Sequence, residues 1–286
     1  AAIDAADPGD TIKVAAGTYV EQPLITKNLT LIGAGSATII KAPTALVNRF
    51  TTSDGQYPVL TVSGANATVR DLVIDGDGRG NGPTDVASVN AYKFSGIAYY
   101  NAGGDIIGTE IKGVRDATFS GNQHGVGIYA YLVDGSTRNL AIRNNYIHDF
   151  QKNAMAVNSG GSSVLTTQIV GNRIVGAGPT TVTAQNGIQV YRASGTLDGY
   201  IDSNDITGIA YDNTLASTKW VASSILAYYT DVDITNNVVT NGHVGVYSWD
   251  GQGAIANNRF EIVKVGVSAS GIIATDPPFV VPSPYE

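Results

Sequence analysis

One phrase recurs along this chain and limits what the chain can become: an aliphatic residue, a short polar linker ending in Asn, one further residue, then a second aliphatic. It reads Ile142-Arg143-Asn144-Asn145-Tyr146-Ile147, Ile169-Val170-Gly171-Asn172-Arg173-Ile174 and Ile201-Asp202-Ser203-Asn204-Asp205-Ile206. Two more copies are Ile234-Thr235-Asn236-Asn237-Val238-Val239 and Ile255-Ala256-Asn257-Asn258-Arg259-Phe260. The shortest spacing of the second Asn, from Asn237 to Asn258, is 21 residues, enough for three short strands and one turn of a β-solenoid. An amide side chain carries both donor and acceptor, so Asn at one turn can bond its copies above and below. Earlier segments follow the plan more loosely, as Val69-Arg70-Asp71-Leu72-Val73-Ile74 and Ile106-Ile107-Gly108-Thr109-Glu110-Ile111. These spacings predict about nine coils.

A second phrase follows each Asn turn after a loop of variable length. Its paired aliphatic positions, predicted to point inward, are Leu60/Val62, Ile97/Tyr99, Val126/Ile128, Met155/Val157, Ile188/Val190, Ile225/Ala227, Val244/Val246 and Val265/Val267. Strand side chains alternate, so the next residue of each pair points out. Those residues are Ser63, Tyr100, Tyr129, Asn158, Tyr191, Tyr228, Tyr247 and Ser268, five of them Tyr in a chain with 15. Beside them a trough of mostly small residues is expected, at Ala98, Gly127, Ala156, Gln189, Leu226 and Gly245. Flat amphipathic rings pack against sugar C–H surfaces, and Tyr131, Trp249 and Trp220 fall near the same face. Rungs about 4.8 Å apart also let tyrosines stabilise one another with no ligand.

Composition agrees. Only 14% of residues are charged and Gly numbers 34, which suits short strands and turns. The lack of Cys removes thiolate chemistry, and a net charge of −7 argues against a nucleic-acid partner. No apolar run is long enough to span a membrane, and the abrupt start at Ala1 suggests a trimmed export leader.

The opening Ala2-Ile3-Asp4-Ala5-Ala6-Asp7-Pro8-Gly9-Asp10-Thr11-Ile12-Lys13-Val14, with Gly17-Thr18-Tyr19-Val20-Glu21 and Lys27-Asn28-Leu29-Thr30-Leu31-Ile32-Gly33, resembles the entry into pectin-lyase-like proteins. The Asn phrases are similar to that superfamily's β-helix repeats. The resemblance implies an all-β, single-stranded right-handed parallel β-helix with a short N-terminal capping helix. It covers one domain over 1–286, with a cap at 1–8, coils at 9–275 and an extended Pro-rich tail at 276–286. It also implies that the Asn turn joins the second and third sheets, placing the tyrosines on the first, where the superfamily's enzymes hold sugar. Fold alone does not fix activity. Gly17 to Glu21 resembles the first motif of pectin methylesterases, but their catalytic Asp pair and Arg are not found downstream. His124-Gly125 resembles part of a polygalacturonase motif without its paired Asp residues. Pectate lyases carry calcium-binding carboxylates on the first sheet, where none of the outward positions is acidic.

The tyrosine column breaks at Asn158. Near that break the sequence places His148, Asp149 and Lys152, with His124 one coil earlier and Arg192 one coil later. A lyase or epimerase of a uronic acid needs a base for the proton beside the carboxylate, and a cation or amide to neutralise that carboxylate. Lys152, Arg192 and Asn158 suit the second need. His124, His148 or Tyr129 suits the first, the tyrosine only if its pKa of about 10 is lowered. Asp75-Gly76-Asp77-Gly78-Arg79 resembles the start of a calcium loop, yet Arg79 stands where an oxygen belongs, so a Gly-rich turn is the plainer reading. No cofactor is required, and calcium at Asp75 and Asp77 is left open. The three histidines lack metal-ligand spacing. Two functions stand. One is a secreted or cell-surface bacterial protein, monomeric or a module of a larger one, that binds polysaccharide and acts on it as a lyase or epimerase. The other is a non-catalytic adhesion or structural module whose aromatic stripe contacts a glycan.

Overall fold

Short apolar runs with period two, each closed by a turn, fold as strands too short to bury a face alone and therefore stack. In the computed structural model, which describes residues 2–81, 92–211 and 221–270, they form a right-handed parallel β-helix. The second sheet contains nine strands, one per coil, in sequence order from Thr11–Lys13 to Ile255–Ala256. The other seventeen strands make the first and third sheets, which merge where Val238–Trp249 and Arg259–Ala269 each bend through both. A four-residue helix, Ala2–Ala5, lies at the N-terminal end, where Lys27 Nζ donates to the carbonyls of Asp4 (3.0 Å) and Ala6 (2.6 Å). The Pro-rich tail lies outside the described residues, as does Trp220.

The Asn turn behaves as its chemistry dictates. Each Nδ2 donates 2.9 Å to Oδ1 of the next coil, from Asn145 through Asn172, Asn204 and Asn237 to Asn258. The same Oδ1 atoms accept the backbone N–H of the preceding Asn at 2.9–3.0 Å. Above Asn145 the ladder ends on the N–H of Thr109, 2.9 Å away. The residue before each Asn is left-handed: Asn144, Gly171, Ser203, Asn236 and Asn257 have φ of 55–64°. This conformation suits Gly and Asn and is costly elsewhere.

On the first sheet, Leu60, Ile97, Ile128, Met155, Ile188, Ile225 and Val246 stack in register and are fully buried. Three coils depart from the sequence expectation. Ile97 pairs with Ile128 and not Val126, and Ile225 pairs with Val246 and not Val244. The inward pairs there are Ile128/Ala130 and Val246/Ser248, while Val126 is half-exposed and stacks between Ser95 and Asn153. On the last coil Val267/Ala269 continue the column and Val265 is exposed. A slip of two residues leaves inward and outward parity intact, so period-two reading does not detect it.

The slip rearranges the outer face. One outward column reads Ser63, Tyr100, Tyr131, Asn158, Tyr191, Tyr228, Trp249; the next reads Thr61, Ala98, Tyr129, Ala156, Gln189, Leu226, Tyr247. Tyr129 and Tyr247 thus stand inside the expected trough. Gly127 and Gly245 are not part of it: a Cβ there would strike Ile147 and Phe260 of the core.

Candidate functional site: an aromatic groove with a cationic cleft

The first sheet carries two aromatic groups separated by a polar gap. Toward the N-terminus are Tyr100, Tyr129 and Tyr131. They are joined by Phe50 from a hairpin, Phe50–Thr51 paired antiparallel with Gly55 and Gln56, that folds over the sheet. Phe50 stacks on Tyr100 at 4.3 Å and 10° and lies parallel to Tyr129 at 6.2 Å. Gln22 fastens this hairpin through Val47 and Pro58, and the Arg49 guanidinium donates to the Gln22 carbonyl. Toward the C-terminus are Tyr191, Tyr228, Tyr229 and Tyr247, with ring centroids 6.0–6.5 Å apart, and exposed Trp249 stacked in register on Tyr228. Sequence reasoning missed Phe50, which lies in a hairpin outside the repeat, and Tyr229, which lies just past the end of its strand.

In the gap is a cleft of about 270 Å³. Thr52, Ser53 and Gln56 of the hairpin segment form one rim, and Tyr129, Ala156, Asn158 and Gln189 lie across it. Lys93, His124 and Lys152 also line it, with Ser95, Gln123 and Asn153, and among the described residues no carboxylate does. Lys93 is 3.6 Å from Asp54. Lys152 Nζ donates to the Ala184 carbonyl, and among the described residues no carboxylate comes within ion-pair distance of it. Burial lowers its pKa. Asn158 Oδ1 is buried without a partner, while Asn153 Nδ2 donates to Gln189 at 2.9 Å. Burial raises the Tyr129 phenol to about 12, outweighing the opposite pull of Asn158 and Thr52. Tyr129 is therefore a poor base, contrary to what that role requires.

His124 lies beneath the cleft with its side chain fully buried. Its Nε2 is 3.1 Å from Asp116 Oδ1, outside hydrogen-bonding alignment. Burial lowers the imidazole pKa more than Asp116 raises it. The other oxygen of Asp116 accepts from Ser120 Oγ and from Asn122 Nδ2 at 2.8 Å, and its N–H donates to Gln151 Oε1. Asp116 thus ties the loop beneath the cleft through Ser120, Asn122 and Gln151, with His124 packed beside it.

The other sequence-selected residues are not brought there. His148 lies on the third sheet, stacked 4.3 Å from Tyr146 and 3.3 Å from Glu110. Arg192 ends a first-sheet strand and pairs with Asp231 at 3.3 Å. Asp75 Oδ1 accepts the Asp77 N–H, and Asp77 is held by Lys41 and Arg79 at 2.9 and 2.8 Å, the Lys41 contact chiefly lowering its pKa. Among the described residues no cluster of three His, Cys, Asp or Glu could hold a metal. No helix of the described residues is long and apolar enough to cross a membrane.

The class these features define is a right-handed parallel β-helix protein with the architecture implied by the pectin-lyase-like resemblance. Among solved structures the chain is similar to an alginate lyase from Paenibacillus sp. str. FPU-7, with 16% identity over 96% of this chain and 91% of that one, at a TM-score of 0.48. It is likewise similar to a pectin methylesterase from Erwinia chrysanthemi, with 12% identity over 90% and 85% at 0.46. A lacto-N-biosidase from Eubacterium ramulus shows 12% identity over 93% and 62% at 0.43. No protein-family model and no curated protein matches the chain.

Proposed function

We propose that the first-sheet groove binds an acidic, carboxylate-bearing polysaccharide outside the cell. The observation that carries this reading is Lys152, a half-buried ammonium that meets no carboxylate among the described residues, in a cleft that none of them lines with a carboxylate, set between two aromatic groups on a chain of net charge −7. Desolvating a cation without a counter-charge is costly, and a uronate would supply that charge while the tyrosines take the sugar faces. Titration with polygalacturonate, alginate and a neutral glucan tests it. Both acidic polymers should bind, more weakly at high salt, and neutral glucan should not. Equal binding of all three would refute the role of charge.

A second reading, lyase or epimerase action, rests on the lowered Lys152 pKa, which enlarges its free-amine fraction. In elimination the amine takes the C5 proton, the C5–H electron pair forms the C4=C5 double bond, and the C4–O bond breaks with its pair on the oxygen of the leaving sugar, which takes a proton from water. Asn158 stands across the cleft as a polar partner. Unsaturated ends appearing in the same incubations would establish lyase chemistry, and binding without them leaves an adhesion module.

A further inference from the structure

Among the described residues the groove is open at one end and walled at the other. From Tyr131 through Asn158, Tyr191 and Tyr228 to Trp249 the outward column runs for four rung spacings, about 19 Å at 4.8 Å each. Toward the N-terminus the same column ends against the hairpin. Phe50 lies on Tyr100 at 4.3 Å and covers one face of that ring, and its plane is parallel to Tyr129. The wall is built and fixed: Asn48 Oδ1 accepts the Gln56 N–H, the Arg49 N–H donates to the Gln56 carbonyl, and Gln22 ties the base of the hairpin segment. The cleft with Lys152, which meets no carboxylate among the described residues, and the unpartnered Asn158 Oδ1 lies directly against this wall, because Thr52, Ser53 and Gln56 share its lining with them.

Among the described residues nothing stops a polymer lying along the column at Trp249, whereas the hairpin stops it at the other end. Its last residue would then fill the cationic cleft. We infer that the protein recognises the end of an acidic polysaccharide chain, the terminal uronate sitting against the Phe50 hairpin with its carboxylate on Lys152. This inference rests on the function proposed above and adds its mode: one protein per chain end, with the preceding sugars on Tyr191 and Tyr228.

The test compares full-length polygalacturonate and alginate with the same polymers shortened tenfold by partial acid hydrolysis, titrated at equal mass of uronate. End recognition counts chain termini, so shortening should lower the half-saturating mass by about tenfold. Recognition of internal segments counts sugars, and half-saturating masses agreeing within twofold would overturn the inference while leaving acidic-polymer binding intact. No binding of either preparation would remove both. A variant with residues 50–54 replaced by two glycines opens the wall, and the dependence on chain ends should shrink toward unity. Should that variant misfold, Phe50→Ala serves in its place and should reduce the same ratio; an unchanged ratio in a folded Phe50→Ala protein would count against the wall.

Discussion

At the scale of single residues, Lys152 governs the charge of the groove. Burial sets its folded-state pKa below 10.5, so affinity for an acidic polymer is full below that folded pKa and falls as pH rises through it. In the same window the unfolded chain binds more protons, and stability rises with pH. Lys152→Arg keeps its charge across this range, and Lys152→Gln removes it throughout, at a cost of about 1.5–3 kcal/mol or roughly 10–100-fold in affinity. Titrations across alkaline pH check this, and a wild-type curve superimposed on that of Lys152→Arg would contradict it. Tyr229 makes a complementary case. It has φ of 56° where other coils place Gly64, Asn101 and Asp250, a strained choice for a bulky side chain, and its ring touches Tyr191 and Tyr228. Tyr229→Gly should raise stability by about 1 kcal/mol and weaken acidic-polymer binding, measured by denaturant unfolding and titration on one sample. Loss of both, or of neither, would assign the residue to packing. These two residues also show what the sequence makes visible. Lys152 stands beside a regular strand and can be placed by counting, whereas Asp116 lies in a loop with no repeat, and only closure of that loop brings Ser120, Asn122 and His124 around it.

At the scale of elements, the Asn ladder was legible because one chemical requirement recurs at one turn. The register of the tyrosine strand was not, because Tyr129 and Tyr131 are both outward and alternation alone does not choose between them. Hydrogen bonding between coils decides, placing Tyr131 against Asn158 and Trp249 against Tyr228. The ladder's energetics depend on position. Asn204→Ala removes bonds to Asn172, Asn237 and the Ile169 carbonyl and leaves the Asn172 N–H buried without its acceptor. Asn258, at the end, has a ladder partner on one side among the described residues and retains some exposure. Unsatisfied buried groups cost about 1–3 kcal/mol each, so Asn204→Ala should destabilise by at least about 3 kcal/mol and Asn258→Ala by roughly half that. Equal unfolding midpoints for the two variants would mean that the ladder does not act as a chain of mutually dependent bonds.

At the scale of the molecule, a solenoid is held by contacts between adjacent coils, so its stability follows local quality along the axis. The middle coils combine long first- and second-sheet strands with the ladder, as in Thr137–Arg143, Asn153–Ser159 and Val164–Val170. The first coil has strands of three, four and two residues, and Val20 is 61% exposed. Its end is covered by a helix that buries none of its own residues and leaves a cavity of about 630 Å³ lined by Ile3, Ile12, Leu24 and Ile40. That coil should open first. Amides of residues 11–25 should exchange at least about tenfold faster than those of 140–174, the difference between local and near-global opening. The cationic cleft is built mainly on the better-held coils, through Tyr129, Lys152, Asn158 and Gln189, so an acidic polymer should slow exchange around 152–158 without slowing 11–25. Protection spreading equally to residues 11–25 would show instead that the solenoid opens as one cooperative unit, and the groove would then be coupled to its N-terminal end.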